Sequence, residues 1–514
     1  MMVEDRGGPT CLRRATARDH GDTSTRGSSW WLVAVVLGVA VAFAVTACAG
    51  GEQGSNSVGA GGGPGAEEDL RFYVVVFEDF PDLDTVTDLP YLDRGRQLVE
   101  SLRTTAEESQ RAARELLDTE GAEYRSLWLA NAIAVCTCDE DLADRLDDLD
   151  GVAEVVGGPD ALVETADDEP VFPGTVPSGS PALDALGVTA LRSRAGAPDG
   201  TGVTVGVVDT GVDGSHPALA GGYRGASDTP GGPVVHERNW FDPYGVCATP
   251  CDPQGHGTHV TSVAVGRAVN PAVTSGATAA WSGSAVPVPA LGVAPGAEWM
   301  AARGCTGAVC DLDELLSALQ FMVAPTDAAG NDPDPDLRPD VIVNSWGLTS
   351  PNLALERAQR VVEASGIIPV AAAGNNGPEC GSVTTPGSQR TTLTVGALRS
   401  DLTPLPVSGR GPGPTDSQPN VATVGELVPG ALPGGAWGAM TGTSQAAPQV
   451  AGLVALLLQR DPDLRGRFYE VETRIDTSTT PIPDESCGVD PEDPEYNNVT
   501  GTGIPDAVRM LDGA

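Results

Sequence analysis

The stretch from Gly442 to Arg460 constrains the fold most. It opens on small residues, Gly442-Thr443-Ser444-Gln445-Ala446-Ala447-Pro448, and continues as Val450-Ala451-Gly452-Leu453-Val454-Ala455-Leu456-Leu457-Leu458 with no charge before Arg460. This pattern predicts a tight turn leading into a helix that is apolar all round, and such a helix belongs inside a large core. Pro448 is expected in the first turn, where backbone N–H groups have no intrahelical acceptor to lose. Ser444 would then stand at the positive end of the helix, where negative charge is stabilised, as attack on a carbonyl requires. Serine is also a favoured helix cap. This stretch alone does not choose between the two roles.

A second apolar run, Val203-Thr204-Val205-Gly206-Val207-Val208, is bounded by Gly202 and Asp209. It predicts a central parallel strand buried on both faces. Asp209-Thr210-Gly211 falls at its carboxyl end, where open α/β sheets place their sites, although Asp there is also a common cap or turn former. Gly255-His256-Gly257-Thr258-His259-Val260 predicts another helix start and holds two of the five histidines. Their spacing departs from the HExxH zinc motif, whose histidines stand four apart around a Glu. No metal is therefore assigned.

A formal net charge of −40 with no basic patch excludes nucleic acid as a partner, because such binding needs basic clusters against phosphates. All 30 basic residues are arginine. Arg13, Arg14, Arg18 and Arg26 precede the uncharged run Trp30 to Ala47, which ends Val45-Thr46-Ala47-Cys48. A basic region, an apolar core and small residues before a cut describe an export signal over 1–47. Its ending on Cys resembles the bacterial lipobox, which implies lipid on Cys48 and attachment to the outer face of the cell membrane. The competing reading is a transmembrane anchor, for which the run is short. On either reading the remaining chain is exported.

Of the ten cysteines, six lie beyond residue 200. Disulfides suit an exported protein. Cys247 with Cys251 and Cys305 with Cys310 are close enough for local loops, which leaves Cys380 with Cys487. Zinc competes weakly, since no His adjoins the last four. Cys136 and Cys138 alternate onto one face of a strand and receive no role.

Residues 48–69 read as a Gly-rich flexible tether. From 70 to 158 the order is strand (Arg71 to Phe77), helical spacing of Leu98, Leu102, Ala106, Ala113 and Leu117, a long strand signal (Tyr124 to Cys136), a short helix (Asp139 to Asp150) and a strand (Val152 to Val156). If the long middle stretch bends into two strands, this is a small α+β ferredoxin-like module. Residues 159–181, rich in Pro, Gly, Ser and acidic side chains, read as an exposed, cleavable linker. The remainder, 182–514, is expected to be one large α/β domain with a central parallel sheet.

Asp209, His256 and Ser444 occur in one of the three known orders of a catalytic triad. Their blocks, DTG at Asp209, GHGTHV around His256 and GTSQAAP around Ser444, closely resemble the subtilase family. A fourth block, Ala371-Ala372-Ala373-Gly374-Asn375-Asn376-Gly377, resembles the family segment whose Asn donates to the oxyanion. Asn376 competes with Asn375 on sequence alone. The family alignment of AAGN selects Asn375 and leaves Asn376 in a left-handed turn before Gly377. Segments around Asn344-Ser345-Trp346-Gly347 and Cys380-Gly381-Ser382-Val383 look most like the bacillopeptidase F-like branch.

The resemblance implies a three-layer subtilisin-like fold and a serine endopeptidase needing no cofactor for catalysis, with protein or peptide substrates. It also implies that 70–158 is a pro-domain inhibiting its own enzyme, and the segment's ending in GVAEVVGGPD adds to that likeness. Ser345, Trp346 and Gly347, with Ala372, Ala373 and Gly374, resemble the segments lining the primary specificity pocket, for which an apolar preference is expected. Gln445 stands where many members carry Met, and changed packing is expected there. Several subtilases hold structural calcium, and the loop Asn331 to Asp336 has suitable oxygens without EF-hand spacing; a solvated acidic turn competes. Two other functions stay open: a silent scaffold acting as a binding lipoprotein, and a maturation protease dedicated to one partner.

Overall fold

The computed structural model describes residues 71–513, except 138, 140, 158–161, 165–179, 228, 230–231, 270–290, 308, 329, 350–351, 413–417 and 489–495. The expected signal, Cys48, the tether, Cys138 and most of the linker lie outside the described residues.

The first module runs β1 (Arg71–Phe77), α1 (Tyr91–Ser109), α2 (Arg111–Glu120), β2 (Glu123–Leu127), β3 (Ala132–Thr137), α3 (Leu142–Asp147) and β4 (Val152–Gly157). Its sheet has the order β2-β3-β1-β4 with every neighbouring pair antiparallel, as the ferredoxin-like reading requires. The long middle signal does bend. Asn131 takes φ 48° at the reversal, a conformation Asn tolerates, and its amide donates to Asp79 O at 2.6 Å while its Oδ1 accepts from Gln110 Nε2 at 3.0 Å. The helical spacing from Leu98 to Leu117 is split between α1 and α2 at Gln110, a break the spacing does not announce.

Alternation along the strands gives the small sheet two apolar faces. Val75, Phe77, Ile133 and Val135 pack on Ala113, Leu117, Leu142 and Leu146 of the module's own helices. Val74, Val76, Ala132 and Ala134 instead share a core with the second, larger module.

That larger module follows β5 (Leu162–Glu164). It comprises β6 (Thr204–Asp209), β7 (Trp240–Phe241), α4 (His256–Val265), β8 (Glu298–Arg303), β9 (Val309–Asp311), α5 (Leu312–Val323), β10 (Val341–Asn344), α6 (Leu353–Ala364), β11 (Ile368–Ala372), β12 (Leu393–Leu398), β13 (Val421–Val424), β14 (Val428–Leu432), β15 (Ala436–Met440) and α7 (Thr443–Arg460). Seven strands form a parallel sheet in the order β13-β12-β11-β10-β6-β8-β7. Val205, Val207, Val341 and Val343 face the core containing Val260 of α4 and Val450 to Leu458 of α7. Val208, Met300, Ala302 and Ile342 face Leu315 and Leu319 of α5 and Leu355 of α6. The result is a three-layer α/β fold in which α7 is buried from Thr443 to Leu458. Disulfides join Cys247 to Cys251, Cys305 to Cys310 and Cys380 to Cys487.

Arginines cross between the two modules and end on backbone oxygens. Arg94 donates to Ala364 O at 2.5 Å and Gly466 O at 2.6 Å. In the other direction Arg357 donates to Phe77 O at 2.5 Å and Glu78 O at 3.1 Å. Arg338 donates to Tyr91 O and lies 3.9 Å from the Tyr91 ring centroid. Burial lowers the pKa of all three guanidiniums, so the carbonyls replace lost water. Arg125 adds ion pairs to Asp313 at 3.0 Å and Glu314 at 2.8 Å, while burial pushes the Glu314 carboxyl up to about 7.

Candidate active site

The carboxyl ends of three adjacent parallel strands, β6, β10 and β11, meet the amino ends of two helices, α4 and α7. Asp209 closes β6 and His256 opens α4. His256 Nδ1 lies 2.7 Å from Asp209 Oδ1, and Asp209 is 2% exposed. The same oxygen accepts the Thr210 backbone N–H at 2.7 Å. A carboxylate facing Nδ1 selects the tautomer with its proton there, which makes Nε2 the basic nitrogen.

Asp252, which sequence reasoning missed, aligns this pair. One of its oxygens accepts from Thr210 Oγ1 at 2.9 Å and from the backbone N–H groups of Gln254 and Gly255 at 3.1 and 2.8 Å. The other accepts from Thr258 N at 2.8 Å and Thr258 Oγ1 at 2.6 Å. Asp252 thus ties the residue after Asp209 to the amino end of the helix that carries His256. Its only sequence signal is an acidic residue just before a helix start.

Ser444 is the second residue of α7, because that helix begins at Thr443. Pro448 therefore lies in the second turn, not the first as expected, and has no N–H to give the Ser444 carbonyl four residues back. Ser345 Oγ fills the gap, donating to Ser444 O at 3.0 Å. In return, Ser444 Oγ donates to Ser345 O at 3.3 Å. Ser345→Ala is expected to leave a buried carbonyl unpaired, lowering stability by about 1–3 kcal/mol. It should also reduce kcat more than it raises KM. Thermal unfolding and steady-state kinetics test this.

Asn375 follows Gly374, whose φ of 94° is the left-handed bend of this turn. Asn376 is absent from the described positive-φ residues, which corrects the turn assigned to it. Asn375 Oδ1 accepts from Thr443 N and Thr443 Oγ1, each at 3.0 Å. This anchoring orients the amide so that its N–H groups face the opposite way. Thr443 was also missed, since its importance lies in a contact across 68 residues.

A pocket lined by Ser444 has Ser345, Trp346 and Gly347 on one wall and Ala372, Gly374, Asn375 and Asn376 on the other. Ala373 does not line it. Its N–H donates to Val395 O at 3.0 Å and its carbonyl accepts Thr384 N at 3.0 Å. Trp346 is 2% exposed and donates its indole N–H to Val208 O at 3.1 Å, which fixes the ring in that wall. Gln445 is buried beside Met440.

His259 and His216 are structural. His259 bonds Val428 O at 3.0 Å, and burial lowers its pKa to about 3. His216 bonds Ala436 O at 3.1 Å and is also lowered by burial. In the acidic loop, Asp332 pairs with Arg238 and Asp336 with Arg96. Among the described residues no group of three or more His, Cys, Asp or Glu could hold a metal.

Comparison with known proteins adds to this geometry. The family model of the subtilase family (peptidase S8) matches residues 200–501. The chain is 30% identical to bacillopeptidase F of Bacillus subtilis (strain 168) over 435 residues, covering 80% of this chain and 28% of that protein. It is 30% identical to subtilisin E of the same strain over 306 residues, covering 59% of this chain and 64% of that protein. With subtilisin Savinase of Lederbergia lenta it shares 31% over 266 residues, 51% of this chain and 78% of that protein. The chain thus spans about a quarter of the first relative and under two thirds of the second.

Proposed function

The chain belongs to the subtilase family, and from that premise we propose that it is an exported, self-processing serine endopeptidase using Ser444, His256 and Asp209. The observation that carries this reading is the 2.7 Å contact of His256 with buried Asp209, and the pocket that Ser444 lines together with Asn375 supports it. A serine hydroxyl is a poor nucleophile at neutral pH, so His256 Nε2 takes its proton as Ser444 Oγ attacks the scissile carbonyl. Ser444 exchanges the Ser345 carbonyl for His256 in doing so. The amine leaves with the proton held by His256, and water then hydrolyses the acyl-enzyme by the same relay. Asp209 stabilises the imidazolium without being protonated. The oxyanion is received by the Asn375 amide and the Ser444 N–H. Every group used belongs to the chain, so catalysis needs no cofactor.

Support for self-processing comes from β5 and the module before it. Leu162, Val163 and Glu164 pair antiparallel with Asp311, Cys310 and Val309. The strand thus runs toward the end of β9 where Val309 O accepts Thr306 N at 3.0 Å and Thr306 O accepts Gln254 Nε2 at 3.2 Å. Gln254 stands two residues before His256. A peptide laid along β9 in this direction heads for the catalytic groups. The linker would be cut beyond Glu164, leaving the 70–158 module as an inhibitor held by the crossing arginines. If Cys48 carries lipid, the anchor stays with that inhibitor and the mature enzyme can leave the membrane.

Stoichiometric labelling of Ser444 by a fluorophosphonate, with a new amino terminus between residues 165 and 181 by intact mass, is the expected result. The Ser444→Ala variant should stay uncut. No labelling of the processed chain would favour the silent binding lipoprotein. Cleavage of one protein but no general peptide would favour the dedicated maturation protease.

A further inference from the structure

Thr384 is a polar side chain set in the wall of the Ser444 pocket. It is 4% exposed, and its Oγ1 has no hydrogen-bond partner among the described residues. Its backbone is fixed from both sides: Thr384 N donates to Ala373 O at 3.0 Å, and the next residue exchanges bonds with Leu348 at 2.8 and 2.9 Å. The side chain fits between the two walls only because both are bare there. A Cβ on Gly347 would lie 2.1 Å from Thr384 Oγ1, and one on Gly374 would lie 2.6 Å from it. Thr384 therefore fills space that the walls leave open, and it presents a hydroxyl instead of a methylene surface.

Besides Trp346, whose indole N–H is held by Val208 O, the remaining lining is small or polar. It includes Thr349, Asn375, Asn376 and Thr443, and no charged residue. A buried hydroxyl without a partner is costly until something bonds to it. Sites built to bond a substrate hydroxyl discriminate strongly against analogues that lack it.

We propose that Thr384 sets the primary specificity of this enzyme, closing the pocket to large side chains and selecting small residues with a hydroxyl, serine and threonine, just before the cut bond. This deepens the endopeptidase reading, on which it rests, and replaces the apolar preference expected from sequence. Threonine and valine have nearly the same shape, so comparing them at that substrate position isolates the hydroxyl.

The test is a series of fluorogenic peptides differing only there, as Thr, Val, Ser, Ala, Leu or Phe, cut by the processed wild type, Thr384→Val and Thr384→Gly. Active sites are counted by fluorophosphonate labelling. The wild type should prefer Thr to Val by about tenfold or more in kcat/KM, and Ala to Phe. Thr384→Val should bring the Thr-to-Val ratio close to one, and Thr384→Gly should raise turnover of the Leu and Phe peptides about tenfold. A labelled wild type with a Thr-to-Val ratio near one, or a ratio unchanged in Thr384→Val, overturns the assignment and leaves the protease reading intact. A wild type that takes no label overturns both.

Discussion

His256→Ala is expected to lower kcat/KM by roughly 10^6-fold, about as much as removing the whole catalytic set. The nucleophile and its base act as one unit, because without Nε2 the Ser444 hydroxyl keeps its proton and its bond to Ser345 O at 3.3 Å. The variant should fold normally, remain unprocessed and resist fluorophosphonate. Its neighbour provides a control for pH. His259, with its pKa lowered to about 3, stays neutral throughout the working range. His259→Gln should therefore leave the pH profile of activity in place while lowering stability. Rapid labelling of Ser444 in His256→Ala would contradict the mechanism.

The second large effect is expected of Asp209→Asn, about 10^4-fold in kcat. The carboxylate is nearly sealed off, and the oxygen facing His256 Nδ1 also accepts Thr210 N–H. An amide oxygen in that place would keep both bonds but carry no charge to stabilise the imidazolium; turned the other way, the amide faces the ring with its N–H2 group and Thr210 N–H loses its acceptor. The imidazole would then carry its proton on Nε2, the wrong nitrogen to accept one from Ser444. Because Asn matches Asp in shape, substrate binding and unfolding temperature should change little. A loss seen mainly in KM would point to a structural role instead.

The sequence revealed the parts of this site that are local. DTG, GHGTHV and GTSQAAP each hold their chemistry and turn geometry within a few residues, and buried strands such as Val203 to Val208 announce themselves by an unbroken apolar run. The three disulfides were legible because two pairs are near neighbours in the chain. What escaped notice depends on contacts across the chain. Asp252 and Thr443 look like ordinary cap residues until the loops they hold come together. Thr384 becomes a pocket wall only when Gly347 and Gly374 flank it. Pro448 was misplaced because a proline-tolerant first turn and a carbonyl rescued by Ser345 leave the same local sequence. The break at Gln110 was hidden in the same way, since the buried amide that marks it answers to Asn131, 21 residues away.

The crossing arginines have an evolutionary consequence. Arg94, Arg338 and Arg357 each end on main-chain oxygens of the opposite module. Every residue type supplies a main-chain oxygen, so substitutions on the receiving side can accumulate without removing an acceptor. Within this set only the three donors are vulnerable, whereas the Arg125 pairs need Asp313 and Glu314 on the receiving side, and lysine is a poor substitute because its single ammonium cannot span oxygens as a planar fork does. The two modules can therefore diverge in sequence while the recognition between them persists.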